Sequence, residues 1–145
     1  SIDLSALLNE VCLAARGMKE FKNNIEIVTQ TEPNVMAHAN SSKLKQIIWN
    51  LVVNAGQSMK KPGKVLVGCQ NIGSQRVRFW VEDEGNGMSE EVMARLYEPF
   101  FTTKDKGTGL GLATAYKIVE LHHGEIRVKS TLNIGTRFEV DLPSA

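Results

Sequence analysis

The chain has 145 residues, 42% of them hydrophobic, and its 17 Lys and Arg against 16 Asp and Glu leave a net charge of +1. That balance excludes a charge-driven disordered chain and supplies no basic excess for nucleic acid. The length fits one domain, residues 1–145, large enough to need no disulfide staples.

Ile2 to Met18 places apolar residues at Leu4, Leu7, Leu8, Val11 and Ala15, the spacing of a helix with Asp3 as its cap. Asn24 to Thr29 alternates at period two and predicts a strand. Pro33-Asn34 marks a turn, Val35 to Ala37 a short strand, and Asn40-Ser41-Ser42 a helix start. Leu44, Ile47, Ile48, Leu51, Val52, Ala55 and Met59 then trace one helical stripe, ended by Lys60-Lys61-Pro62-Gly63. Lys64 to Asn71 and Arg76 to Glu82 read as a hairpin turning at Ile72 to Gln75. From Glu84 to Gly111 the chain is rich in glycine, with only Ser89 to Leu96 helical in character; so long a connection predicts a functional lid. A helix over about Leu110 to His122, stopped at Gly124, precedes strands over Glu125–Ser130 and Thr136–Leu142, joined at Asn133 to Gly135. The sum is an α/β, or α+β, two-layer sandwich: helices on one face of a mixed, mainly antiparallel sheet.

Cys12 and Cys69, with no CxxC spacing, are expected to be reduced, buried and inert, which points to a cytoplasmic setting. The most apolar run, Ile47 to Val53, is interrupted by Trp49 and Asn50 and falls far short of the roughly 20 residues of a membrane span. No direct membrane contact is expected. The start, Ser1-Ile2-Asp3-Leu4, lacks Met, so the sequence reads as a piece of a longer protein, whose parent is free to be membrane-bound.

Four groups of residues have the types that chemistry needs. Asn50 and Asn54 share one helix face at the border of its apolar stripe. Their amide oxygens are hard ligands suited to Mg²⁺, which takes few protein ligands and completes its shell with phosphate and water. The pair equally fits two surface amides on a solvated flank. In Val81 to Met88 an acidic residue ends a strand and two glycines follow; a carboxylate there suits an exocyclic amine, and the same residues suit an ordinary acidic turn. Glu98 to Lys104 offers two aromatics and a lysine. Gly107-Thr108-Gly109-Leu110-Gly111-Leu112 opens into a helix, where unpaired N–H groups and the dipole favour phosphate. Its spacing is neither G-x-G-x-x-G nor the P-loop.

Taken in order, the chain reads N-x-x-x-N on a helix, D-x-G-x-G after a strand, E-P-F-F, and G-x-G-x-G at a helix start. This order resembles the ATP-binding catalytic domain of sensor histidine kinases, in the GHKL superfamily. Gln46 to Ala55, Asp83 to Gly87, Tyr97 to Phe101 and Gly107 to Leu112 look like that family's N, G1, F and G2 boxes, and Gly135 to Pro143 is similar to its closing strand. The resemblance covers essentially the whole chain and implies the Bergerat sandwich, with ATP and Mg²⁺ as cofactors and an ATP lid at about 84–107. It implies that Asn54 ligates Mg²⁺ and that Asn50 is catalytic, serving the same metal–phosphate region. Asp83 would accept from the adenine amino group, with Thr136 binding both Asp83 and the base through water. Gly85 and Gly87 would let the lid start close to the nucleotide. Gly107, Gly109 and Gly111 would place N–H groups on the phosphates, and Thr102, Thr103, Lys104, Lys106, Thr108, Leu110 and Leu112 complete the ATP-binding set. Phe100 and Phe101 would pack the lid.

Position 50 discriminates within the superfamily. Hydrolysing members and related serine kinases commonly carry Glu there as general base; Asn50 cannot accept a proton, whereas a neutral imidazole needs no base to attack phosphorus. Two departures stand out: Gln57 and Ser58 occupy positions where the family often has a basic residue and an aromatic one, which moves the expected phosphate contact to Lys104 or Lys106. His38, His122 and His123 lack the His-Glu-x-x-x-Pro setting of a phospho-acceptor; the last two suit partners of a helix C-terminal dipole. The implied partners are therefore a dimerisation and phospho-acceptor domain of the parent, itself a homodimer, and a response regulator receiver domain, with no nucleic acid. A GHKL-type ATPase or serine kinase, or a nucleotide-binding interaction module, is the alternative.

Overall fold

Asp3 does cap the first helix: its Oδ1 accepts the Ala6 N–H at 3.1 Å, and α1 runs Leu4–Ala15, shorter at both ends than the periodicity alone suggests. The computed structural model describes residues 1–22, 24–101 and 111–145. A 3-10 turn, Lys19–Phe21, leads to β2 (Ile25–Thr31), after a two-residue β1 (Ile2–Asp3) that pairs antiparallel with β3 (Met36–Ala37). This small pairing has no sequence periodicity to announce it. The Asn40 carboxamide caps α2 (Ser41–Ser58), accepting from Lys43 N–H at 3.0 Å. β4 (Gly63–Ile72) and β5 (Arg76–Asp83) form the expected hairpin. Ser89 caps a short α3 (Glu90–Ala94); α4 spans Gly111–Leu121; β6 (Glu125–Thr131) and β7 (Gly135–Pro143) close the chain.

The five long strands lie in the order β2-β4-β5-β7-β6, antiparallel except for the parallel pair β2–β4, whose crossover is α2. The expected two-layer sandwich is therefore the observed fold. α1, α2 and α4 cover one face, where Leu8, Leu44, Ile48, Leu51, Val67, Phe79, Phe138 and Val140 are buried. Both cysteines are buried there as expected, and burial pushes each thiol up to about 11. Among the described residues no helix is long and apolar enough to cross a membrane.

The other face of the sheet bears ion pairs instead of helices. Asp141 takes Arg78 Nε at 2.8 Å and Arg127 Nη2 at 2.8 Å; Arg137 meets Glu139 at 3.0 Å and stacks 4.9 Å over the Trp80 ring. Trp80 lies across Gly68, where a Cβ would run into its ring and the Gln30 carbonyl.

Candidate functional site

The core-facing residues of three adjacent strands follow one rule. On β5 they read Val77, Phe79, Val81, Asp83; on β7, from its far end, Leu142, Val140, Phe138, Thr136; on β6, Ile126, Val128, Ser130. Each apolar series ends in one polar residue, and register brings those three together: Asp83 opposes Thr136, and Thr136 opposes Ser130. The same row continues across the sheet through Val65 to Ile27. The row is thus apolar at Ile27 and Val65 and polar at Asp83, Thr136 and Ser130, a floor suited to a flat base that carries a polar edge.

Asp83 is 5% exposed and Thr136 6%. The Asp83 carboxylate accepts the Gly85 N–H at 2.8 Å, which turns the chain out of β5. The Thr136 hydroxyl hydrogen-bonds to Ser130 Oγ at 2.8 Å. Ser130 also accepts the Met88 N–H at 2.7 Å and donates to the Gly135 carbonyl at 3.1 Å, so it ties the loop after β5 to the β6–β7 hairpin. The sequence reading missed Ser130; the signal was a polar residue at a core-facing position of an otherwise apolar alternation.

The loop glycines are required by the chain's own backbone. A Cβ on Gly85 would strike the Ser58 side chain and carbonyl, and one on Gly87, whose φ is +68°, would strike the Thr131 carbonyl. Asn86 N–H donates to Ser58 O at 3.2 Å, and Asn133 N–H to Asn86 O at 2.6 Å. The loop is therefore braced between the end of α2 and the β6–β7 turn. Glu84 accepts the Lys64 N–H and so secures the start of β4.

Asn50 and Asn54 lie half-buried on α2, one turn apart, as the helical wheel predicts. Asn50 Nδ2 donates to the Gly111 carbonyl at 3.2 Å, linking the centre of α2 to the first residue of α4 and turning its Oδ1 away from that carbonyl. Eleven residues along α4 a second link closes: His122 Nε2 accepts the Asn40 N–H at 3.2 Å while its Nδ1 pairs with Ile118 O at 2.8 Å. An accepting Nε2 places the ring proton on Nδ1. His122 is thus an interhelical brace, not only a partner of the helix dipole.

Tyr97 stacks on Tyr116 of α4 with ring centroids 4.8 Å apart, and burial pushes its phenol up to about 12. Arg95 sits 4.5 Å over the Phe101 ring, but Phe100 is 74% exposed: its φ of 66° closes the turn begun at Glu98 and leaves its ring in solvent, so it does not pack as expected. Leu112 packs against the core. Thr102, Thr103, Lys104, Lys106, Gly107, Thr108, Gly109 and Leu110 lie outside the described residues. Among the described residues no group of three or more His, Cys, Asp or Glu could hold a metal ion. The two amides of α2, Asn50 and Asn54, carry oxygens that fit a hard cation bringing most of its shell with it.

Residues 39–145 match the family HATPase_c, described as "Histidine kinase-, DNA gyrase B-, and HSP90-like ATPase". The chain belongs to this family. Within it, the chain is similar to sensor histidine kinases: Sporulation kinase E of Bacillus subtilis (strain 168) is 44% identical over 102 residues, 70% of this chain and 14% of that protein. The solved catalytic domain of histidine kinase ThkA is 32% identical, with a TM-score of 0.88 over 99% of this chain and 93% of that one. Full-length ShkA in complex with AMPPNP is 31% identical, with a TM-score of 0.89 over 99% of this chain and 30% of that one. The chain spans between 14% and 33% of the length of the sporulation kinases it matches.

Proposed function

We propose that this chain is the ATP-binding catalytic domain of a protein-histidine kinase, which binds ATP with Mg²⁺ and donates the γ-phosphoryl group to a histidine on a separate dimerisation domain of its parent. The observation that carries this reading is the polar row Asp83–Thr136–Ser130 beside two amides, Asn50 and Asn54, on the adjoining helix. A solved relative named as an AMPPNP complex supports the choice of nucleotide.

In this reading Asp83 accepts from the exocyclic amine of adenine, and Val65 and Ile27 extend the floor beneath the base. Asn54, with Asn50 one turn before it, holds Mg²⁺, which when bound neutralises charge on the phosphates. The glycines from Gly107 to Gly111 offer backbone N–H groups to the phosphates at the start of α4, with Lys104 or Lys106 beside them. Asn50 orients, because a carboxamide has no basic atom with which to deprotonate water. Phosphoryl transfer of this kind is mostly positioning and charge neutralisation. The attacking imidazole, supplied from outside residues 1–145, gains the N–P bond as the bond to the ADP leaving group breaks. The phosphoryl group then passes to a receiver domain of a response regulator. A homodimeric parent and a cytoplasmic setting complete the proposal.

Calorimetric titration of the chain with a Mg²⁺-bound, non-hydrolysable ATP analogue tests the site. Asp83→Asn replaces an acceptor-only group by one that also presents donors, and should weaken binding by roughly 1–3 kcal/mol. Steady hydrolysis by the isolated chain should be slow; rapid turnover of ATP to free phosphate would overturn transfer in favour of an ATPase.

A further inference from the structure

We infer that Ser130, which has no place in the ligand set above, is a positioning residue that fixes the hydrogen-bond polarity of Thr136 and thereby sharpens the choice between purine bases. The inference rests on the adenine reading of the Asp83–Thr136 site.

The argument is a count of protons. A serine hydroxyl has one proton and two lone pairs. Ser130 Oγ has three neighbours: the Met88 N–H at 2.7 Å, the Gly135 carbonyl at 3.1 Å and Thr136 Oγ1 at 2.8 Å. The Met88 N–H can only donate, so it takes one lone pair. The Gly135 carbonyl can only accept, so it takes the proton. The remaining lone pair can be filled only by the Thr136 hydroxyl acting as donor. Were Ser130 to give its proton to Thr136 instead, the Gly135 carbonyl would lose it. The arrangement that serves all three contacts therefore leaves Thr136 with lone pairs alone for any other partner.

Thr136 stands opposite Asp83 in the sheet, and a carboxylate also only accepts. The two groups then present a ligand edge with acceptors and no donor. A 6-amino purine supplies the donor such an edge needs. A 6-oxo purine sets a carbonyl against it, lone pair to lone pair. Without the Ser130 hydroxyl, Thr136 is free to rotate and offer its proton to that carbonyl, and the edge loses part of its selectivity. Ser130 never touches the nucleotide in this scheme; it acts through Thr136.

The test compares the affinity of the chain for ATP and for inosine triphosphate, both with Mg²⁺, in the wild type, Ser130→Ala and Ser130→Thr. Ser130→Ala should narrow the preference for ATP by about fivefold, the worth of one neutral hydrogen bond redirected. Ser130→Thr keeps the hydroxyl on a strand that tolerates β-branching, and should restore it. Equal loss of both affinities in Ser130→Ala, with the ratio unchanged, would mean that the hydroxyl only braces the loop and would overturn the inference, as would a Ser130→Thr chain that discriminates no better than Ser130→Ala. Asp83→Asn serves as the control on the underlying reading: if it leaves both affinities at wild-type values, the base does not sit at Asp83, and the reading and the inference fall together.

Discussion

His123 and Gly124 sit side by side after α4, and both positions favour glycine for different reasons. His123 is exposed and has a φ of 59°, a left-handed conformation in which a Cβ is crowded by the backbone. Gly124 is there for space: a Cβ would meet the Asp141 carbonyl and a Leu142 methyl. Replacing His123 by Gly keeps the backbone carbonyl that Arg76 binds and removes the crowding, so it should stabilise the chain by about 1 kcal/mol, roughly 3–4 °C in a thermal melt. An unchanged or lower midpoint would show that the imidazole contributes something its exposure conceals. At this scale much of the molecule could be read directly. Asp3, Asn40 and Ser89 each cap the helix that the sequence pattern assigned to them, because a side-chain oxygen and a following N–H are local facts. His122 could not be read so, because its partner Asn40 lies 82 residues away in the chain.

Among the elements, the sheet carries the acid sensitivity. Burial alone would raise the Asp141 carboxyl, but hydrogen bonds from Arg78 and Arg127 outweigh it and hold the group below its ordinary value of 3.8. A group whose folded value is depressed stabilises the fold above its unfolded value, and that stabilisation is lost as the pH falls through the folded one. Asp141→Asn should therefore cost about 1–3 kcal/mol in urea unfolding at pH 7, and the gap to wild type should close below about pH 4. A gap independent of pH would assign the cost to packing. The elements themselves were legible from period and punctuation, but not all their pairings. β2 and β4 alternate alike whether they run parallel or antiparallel, so their parallel pairing is settled by the α2 crossover and not by their own residues. Likewise the Asp83–Thr136–Ser130 row is a consequence of register across three strands. Sequence reasoning offered a carboxylate at the end of β5 from its residues, singled out Asp83 and Thr136 through the ordered motifs of a family, and missed Ser130, which lies outside them.

For the whole molecule, the proposed site is a junction: α2 contributes the amides, β5 the carboxylate, β7 and β6 the hydroxyls, and α4 is tied to α2 at both ends. A ligand bound there adds contacts that span all of these elements, and its binding energy adds to the stability of the fold. With Mg²⁺ and ATP at a hundred times the dissociation constant, linkage predicts about 2.7 kcal/mol of added stability. The thermal midpoint should rise accordingly in the wild type and by clearly less in Asp83→Asn at the same concentrations; equal shifts in both would place the nucleotide elsewhere. The strand order has a further consequence, for synthesis on the ribosome. Of the five strands of this sheet β5 is the third made, but its second neighbour, β7, is the fifth. Roughly fifty residues separate Asp83 from Thr136, several seconds of translation at 5–20 residues per second. Throughout that interval β5 is a bare edge, with unpaired peptide groups ready to join another strand. The chain cannot bind its nucleotide or hide that edge until its final hairpin is made, which makes the nascent chain, more than the finished protein, the form most in need of a chaperone.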